Sequence, residues 1–162
     1  MKIAFIQTGG TIDKDYPKAT GGYPFEIAEP AVKRILQRVN LNFDWEIISI
    51  LRKDSQDITE EDRQKIRDAC ENNAADKIIV THGTDTMIET AEKLSNLKDK
   101  VIVLTGAMKP EKFADSDASF NLGVAVGAIN ILEQGVYIAM NGKVYPWNKV
   151  KRNSQTGQFS EK

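Results

Sequence analysis

Two glycine turns carry the hydroxyl groups best placed for chemistry in this chain of 162 residues. The first is Gly9-Gly10-Thr11, directly after the apolar run Ile3-Ala4-Phe5-Ile6. Two successive glycines allow a sharp turn and a close backbone approach to a ligand. Thr11 is a candidate nucleophile. An alcohol needs a base or a local field to activate it, and the main-chain N–H groups at Gly9 and Gly10 are suited to an oxyanion. The same residues also fit a plain tight turn with a helix-capping threonine. The second turn, Thr81-His82-Gly83-Thr84-Asp85-Thr86, repeats the design after another apolar run. Thr84 and Asp85 set a hydroxyl beside a carboxylate, which could bind a substrate ammonium, orient a lysine, or cap a helix. His82 invites a Ser-His-Asp reading, but no serine stands in a nucleophile-elbow context, so it reads as a packing residue. Ser55-Gln56-Asp57 could hydrogen-bond a small polar ligand or form a turn. Tyr23, in a long loop, could close over a site.

Both phosphate-binding glycine motifs, GxxxxGK[ST] and GxGxxG after the first strand, are absent. A receiver-type phosphoacceptor domain needs an acidic pair where Gln7-Thr8 stands.

The elements that position these turns follow from apolar spacing. Strands are expected at Lys2 to Thr8, Trp45 to Leu51, Lys77 to Thr81, Val101 to Thr105 and Val136 to Met140. A helix opening at Glu29-Pro30 shows Val32, Ile35, Leu36 and Val39 on one face. Thr59, with Asp62 three residues on, opens a second helix reaching about Asn73. A third covers Thr86 to Leu97. A fourth, capped by Asp117 and running to Glu133, is apolar on most sides and is expected to be the most buried. Alternating strands and helices imply an α/β fold. It would be a mainly parallel five-stranded sheet with helices on both faces, a flavodoxin- or Rossmann-like three-layer sandwich of order 2-1-3-4-5. Ligands bind beyond the carboxyl ends of such strands. Those ends lead into loops at Gly9, Arg52, His82, Gly106 and Asn141, where the candidate residues fall. The expected division is one domain over 1–150 and a polar tail over 151–162.

Composition narrows the function. A net charge of −1 without a basic tract gives no support for a nucleic-acid partner. The longest apolar runs are far too short to cross a bilayer, and the N-terminus enters a strand without a secretory apolar region. One cysteine, Cys70, allows no internal disulfide, and one histidine makes a structural zinc site improbable. Together these favour a cytoplasmic protein.

Thr8-Gly9-Gly10-Thr11-Ile12 and His82-Gly83-Thr84-Asp85-Thr86-Met87 resemble the two signature stretches of the bacterial-type L-asparaginase family. Supporting matches are Asp54-Ser55-Gln56-Asp57, Thr105-Gly106-Ala107-Met108 with Pro110, Asp117 through Phe120-Asn121-Leu122, and Met140-Asn141. Their order and spacing agree over almost the whole chain.

The resemblance implies hydrolysis of the side-chain amide of asparagine, or of a similar small amide, through an acyl-enzyme on Thr11. Tyr23 matches a mobile-loop tyrosine that assists the nucleophile. Thr84 matches the second threonine, and Asp85 its carboxylate and a holder of the α-ammonium. Ser55 and Gln56 match residues that hold the α-carboxylate. Backbone around Gly10, Gly83 and Ala107 completes the substrate site, and no metal or organic cofactor is expected. The family also pairs a lysine with the carboxylate. Ungapped alignment from Met140-Asn141 lands on Arg152, with Lys151 next to it and Lys149 nearby; arginine stays protonated, so Lys151, after a one-residue shift, is the candidate. Family members carry a second, smaller domain after this point, and the expectation is a stand-alone first domain, self-associating to rebuild the pocket wall. The competing reading is an amino-acid-binding or regulatory module that has kept the pocket and lost turnover.

Overall fold

The computed structural model describes residues 1–17 and 25–162. In chain order the elements are strands β1 (Lys2–Gly9), β2 (Lys14–Asp15) and β3 (Glu26–Ile27), helix α1 (Ala31–Leu36), strand β4 (Asp44–Lys53), helix α2 (Glu60–Glu71) and strand β5 (Lys77–Thr81). Helix α3 (Met87–Leu94), strand β6 (Val101–Thr105), helix α4 (Ala118–Ile129), and strands β7 (Gly135–Met140), β8 (Lys143–Pro146), β9 (Val150–Arg152) and β10 (Phe159–Glu161) follow. Short 3₁₀ turns at Thr11–Asp13, Ser55–Asp57 and Trp147–Lys149 join them.

The main sheet has the order β4-β1-β5-β6-β7-β8. Its first five strands are parallel and stand in the 2-1-3-4-5 arrangement expected of the alternating pattern. The expected count of five is one short. β8 returns antiparallel on β7 through a turn at Asn141-Gly142, pairing Met140 with Lys143 and Tyr137 with Pro146. Both turn residues have positive φ, which Asn and Gly accept at low cost.

Alternation along each strand divides the core. Ala4, Ile6, Ile78, Val80, Ile102 and Leu104 pack with Ile66 and Cys70 of α2 and Met87, Ala91 and Leu94 of α3. Ile3, Phe5, Ile79, Val101 and Val103 face the other way, against Val32, Ile35 and Leu36 of α1 and Leu122, Ala125 and Ile129 of α4. Strands buried on both faces read as continuous apolar runs for this reason.

Three expectations need correction. α4 is not the most buried helix: Phe120 is 62% exposed, and a Cβ at Gly123 or Gly127 would meet nothing within 4 Å. The sheet covers one side of a helix, and among the described residues no further layer lies over this one. Residues 151–162, expected as a polar tail, carry paired strands. β9 and β10 pair antiparallel, and Val150, Phe159 and Tyr145 are buried in the same core as α3. Alternation over so short a ribbon leaves two apolar anchors among polar neighbours, too few to register as a strand pattern. Finally, the long segment after Gly9 contains the β2–β3 ribbon, while 18–24, with Tyr23, lie outside the described residues.

Candidate active site

Four of the loops at the carboxyl edge of the sheet converge main chain to main chain. Gly9 and Gly10 have φ of +112° and +85°, so a side chain at either would be strained whatever the space. There is also no space: a Cβ on Gly10 would collide with the backbone of Gly83, and one on Gly9 with that of Lys53. Gly83 lies against Ser55, where a Cβ would stand 2.6 Å from the serine Cβ and Oγ. A Cβ on Gly106 would strike the carbonyl of His82. The two threonine turns are therefore adjacent across one floor, with Thr11 and Thr84 each one residue beyond the point where Gly10 meets Gly83.

Hydrogen bonds hold that convergence. The Gly10 amide donates to the Lys53 carbonyl at 2.9 Å. The Thr8 hydroxyl donates to the Thr81 carbonyl, and the Thr105 hydroxyl to that of Ala139, both at 2.8 Å. The His82 amide donates to the Thr105 carbonyl at 2.9 Å. The His82 ring lies 2.7 Å from the Gly83 carbonyl through Nδ1 and 2.8 Å from Thr90 Oγ1 through Nε2. Burial drives its pKa down to about 4. A fully buried, neutral imidazole with both nitrogens engaged braces the turn, in keeping with the packing role read from the sequence.

Around Thr84 the polar groups form a connected set. The Asp85 amide donates to Ser55 Oγ at 3.2 Å, and the Thr86 hydroxyl donates to the Ser55 carbonyl at 2.7 Å. Gln56 Nε2 donates to Asp85 Oδ2 at 3.0 Å. On the other carboxylate oxygen, Asp85 Oδ1, sits Arg152 Nη2 at 2.9 Å, and the same nitrogen donates to Thr84 Oγ1 at 3.2 Å. Asp85 does not cap α3 through its side chain; the position before that helix is Thr86.

The cation at this site is thus Arg152. Lys151 is exposed, as successive residues of a strand point to opposite sides and the register that turns 152 inward turns 151 out. Spacing from Met140-Asn141 points to Arg152 and residue chemistry to Lys151; the structure brings Arg152 to Thr84 and Asp85 and leaves Lys151 exposed. The β9–β10 ribbon that delivers Arg152 is fastened by the Phe159 amide donating to Asn141 Oδ1 at 3.0 Å.

Of the other expected residues, Gly10, Gly83, Ser55 and Ala107 are buried in the converging loops, Thr11 and Thr84 are half-buried, and Gln56 and Asp85 are exposed. Two further carboxylates shape the loops, Asp13 without a sequence signal and Asp117 in a role other than the helix cap expected of it. Asp13, just past Thr11, accepts from the Ala31 amide at 2.7 Å and ties this turn to α1. Asp117 stands at the start of α4 but makes no bond to that helix's free amides. Its carboxylate instead accepts from the Met108 and Lys109 amides and from Asn121 Nδ2, shaping the loop after Ala107. Among the described residues no cluster of three or more His, Cys, Asp or Glu could hold a metal ion, and no helix is long and apolar enough to cross a membrane.

Comparison with known proteins adds to this geometry. Residues 2–159 match the family model described as asparaginase, N-terminal. A glutaminase-asparaginase of Acinetobacter glutaminasificans is 29% identical over 155 residues, covering 88% of this chain and 47% of its own length. A glutamyl-tRNA(Gln) amidotransferase component from Methanosphaera stadtmanae is 36% identical over 150 residues, covering 86% of this chain and 33% of that protein. The thermostable L-asparaginase of Thermococcus kodakarensis superposes with a TM-score of 0.85 at 29% identity, over 99% of this chain and 51% of that one. The chain spans about half the length of the asparaginases it matches and about a third of the amidotransferase component.

Proposed function

The chain belongs to the asparaginase family, and from that premise we propose that it is an amidohydrolase acting on the side-chain amide of asparagine or a similar small amide. The observation that carries this reading is the contact of Gly10 with Gly83, which brings together the two turns that bear Thr11 and Thr84. A binding module has no need of two hydroxyls set on opposed turns.

In the proposed reaction, Thr11 Oγ1 attacks the amide carbon, its proton passes to the leaving nitrogen, and the C–N bond breaks to release ammonia. Water then attacks the acyl-threonine. Its oxygen bonds the carbonyl carbon, the ester bond breaks, and a proton returns to Thr11 Oγ1. Main-chain N–H groups near Thr11 and Thr84 stabilise the oxyanion in each step, the Gly10 amide itself being taken by the Lys53 carbonyl. Ser55, Gln56 and Asp85 hold the charged end of the substrate, and the backbone at Ala107 forms part of the wall. Tyr23 assists Thr11, as its match to the family's loop tyrosine implies. The single cysteine, Cys70, is buried, and burial raises its pKa to about 12, which leaves it inert. A cytoplasmic setting is part of the reading. Self-association of the chain is part of the proposal. A light-scattering mass of one chain in a fully active preparation would discard it.

The deciding assay is ammonia release from asparagine and glutamine. The expected outcome is turnover that Thr11→Ala lowers by about a hundredfold or more. Unchanged release in that variant removes Thr11 as the nucleophile. A second reading, an amino-acid-binding module without turnover, is favoured by one observation: the cation beside Thr84 is a guanidinium, which cannot accept a proton. Aspartate binding by calorimetry without ammonia release from either amide would establish that reading instead.

A further inference from the structure

We propose that Asp13 is a positioning residue for Thr11: its buried carboxyl fastens the turn that bears the nucleophile to helix α1, and it does so as the uncharged acid. The inference deepens the amidohydrolase reading and rests on it for turnover, though not for the anchoring itself.

Among the described residues no hydrogen bond holds the Thr11 hydroxyl, so its aim depends on the backbone that carries it. That backbone is the 3₁₀ turn Thr11–Asp13. The last residue of the turn makes three hydrogen bonds. The Asp13 amide donates to the Gly10 carbonyl at 3.2 Å, its carbonyl accepts from the Ala28 amide at 2.9 Å, and its Oδ1 accepts from the Ala31 amide at 2.7 Å. The first two belong to the main chain and survive substitution. Only the third depends on a side chain, and it joins the turn to α1, whose Val32, Ile35 and Leu36 are packed in the core.

The other carboxyl oxygen has nothing to bond. Asp13 is fully buried, and Oδ2 has no partner. The groups around the carboxyl are engaged elsewhere. On β1, Gln7 Nε2 donates to the Ala28 carbonyl, and Gln7 Oε1 accepts from Ser49 of β4. On α1, Arg34 is paired with the buried Glu111 of the loop after β6, where Arg38 joins it. On β4, Arg52 is paired with Glu29. Lys14, next in the chain, is paired with Asp54. A negative charge on Oδ2 would stand there without a bonded partner, and burial raises the pKa to about 6. Conformations in which the turn lifts and Asp13 meets water titrate at the ordinary 3.8. By linkage the closed turn is favoured in full below that value and loses ground to the open one as pH rises through about 6. Asp13 thus sets where Thr11 stands and the pH range in which it stands there.

Two variants of the full chain test the proposal. Asp13→Asn keeps the acceptor and cannot ionise; Asp13→Leu keeps the bulk and loses the acceptor. The anchor is read without turnover, from protection of the Ala31 amide against hydrogen exchange, corrected for the intrinsic rate at each pH. From pH 5 to 7.5 that protection should fall about tenfold in the parent and less than about twofold in Asp13→Asn. In Asp13→Leu it should be lost. Turnover of asparagine should follow. Asp13→Leu lowers kcat about tenfold or more, with KM within about threefold. Asp13→Asn matches the parent within about twofold at pH 5, and its kcat relative to the parent rises about threefold or more by pH 7.5. The same pH course of protection in the parent and in Asp13→Asn overturns the proposal, as does a kcat unchanged by Asp13→Leu. If Asp13→Leu does not fold, the Asp13→Asn comparison decides alone. Where Thr11-dependent ammonia release is absent and protection behaves as described, the amidohydrolase reading fails and the anchoring stands.

Discussion

At the scale of single residues, two positions beside Thr11 make the site costly to build. Asp13 is fully buried, and burial raises its pKa from 3.8 to about 6, against the pull of the Ala31 amide, Gln7 and the charges of Arg34 and Arg52. Because the folded value lies above the unfolded one, the native state holds the proton more tightly. The associated stability is complete below pH 3.8 and is lost as pH rises through about 6. The shift corresponds to roughly 3 kcal/mol. Asp13→Asn, which cannot ionise, should therefore gain stability relative to the parent as pH rises from 4 to 7. Urea midpoints of both proteins at pH 4.5, 5.5 and 7 would show this, and parallel curves would rule it out. Gly10→Ala combines positive φ with a backbone collision. It should cost more than the ~1 kcal/mol of an uncrowded glycine at positive φ and should erase turnover even in the folded fraction. A variant with parental melting temperature and activity would show that the two turns do not need their contact.

At the scale of elements, the β9–β10 ribbon couples stability to the site. Phe159 is 2% exposed and its amide is held by Asn141. Phe159→Ala should cost about 3–5 kcal/mol by the lost burial and the cavity left behind. It should also release Arg152, so that kcat falls in protein still folded by circular dichroism. α2 offers a cleaner local case. Thr59 and Asp62 form a reciprocal capping box, and Lys53 Nζ reaches Asp62 Oδ2 at 2.6 Å, drawing that carboxyl down to about 2. Thr59→Ala should cost about 1 kcal/mol in thermal or urea unfolding and leave the cleft unaffected. That cap is legible in the sequence because Thr and Asp stand at the required spacing before a periodic segment. The parallel strands are legible for a similar reason, since runs such as Ile78-Ile79-Val80 are apolar on both faces. β8, β9 and β10 are not, because they are three or four residues long and owe their pairing to the Asn141-Gly142 turn and to single anchors at Tyr145, Val150 and Phe159. Thr11, Thr84 and Asp85 stand out as a motif; which cation reaches Thr84 and Asp85 is decided by strand register, a property of the ribbon and not of residue chemistry.

At the scale of the whole molecule, two cores share one sheet, and its central strands contribute side chains to both. Unfolding should accordingly be a single transition in which fluorescence and far-ultraviolet dichroism coincide; separate transitions would mean that the two faces are independent. The open side of α4 takes no part in either core. Phe120→Ser, at a ring that is 62% exposed, should alter stability by less than about 0.5 kcal/mol. The meeting of Gly10 with Gly83 has one more consequence. Where Gly10, Gly83 and Lys53 meet, the base of the cleft is main chain, so substitution has little to work on there. Evolutionary drift or laboratory redesign can alter what this protein accepts more readily at side chains around that contact, such as Ser55 and Gln56, while the glycine geometry beneath stays inherited unchanged.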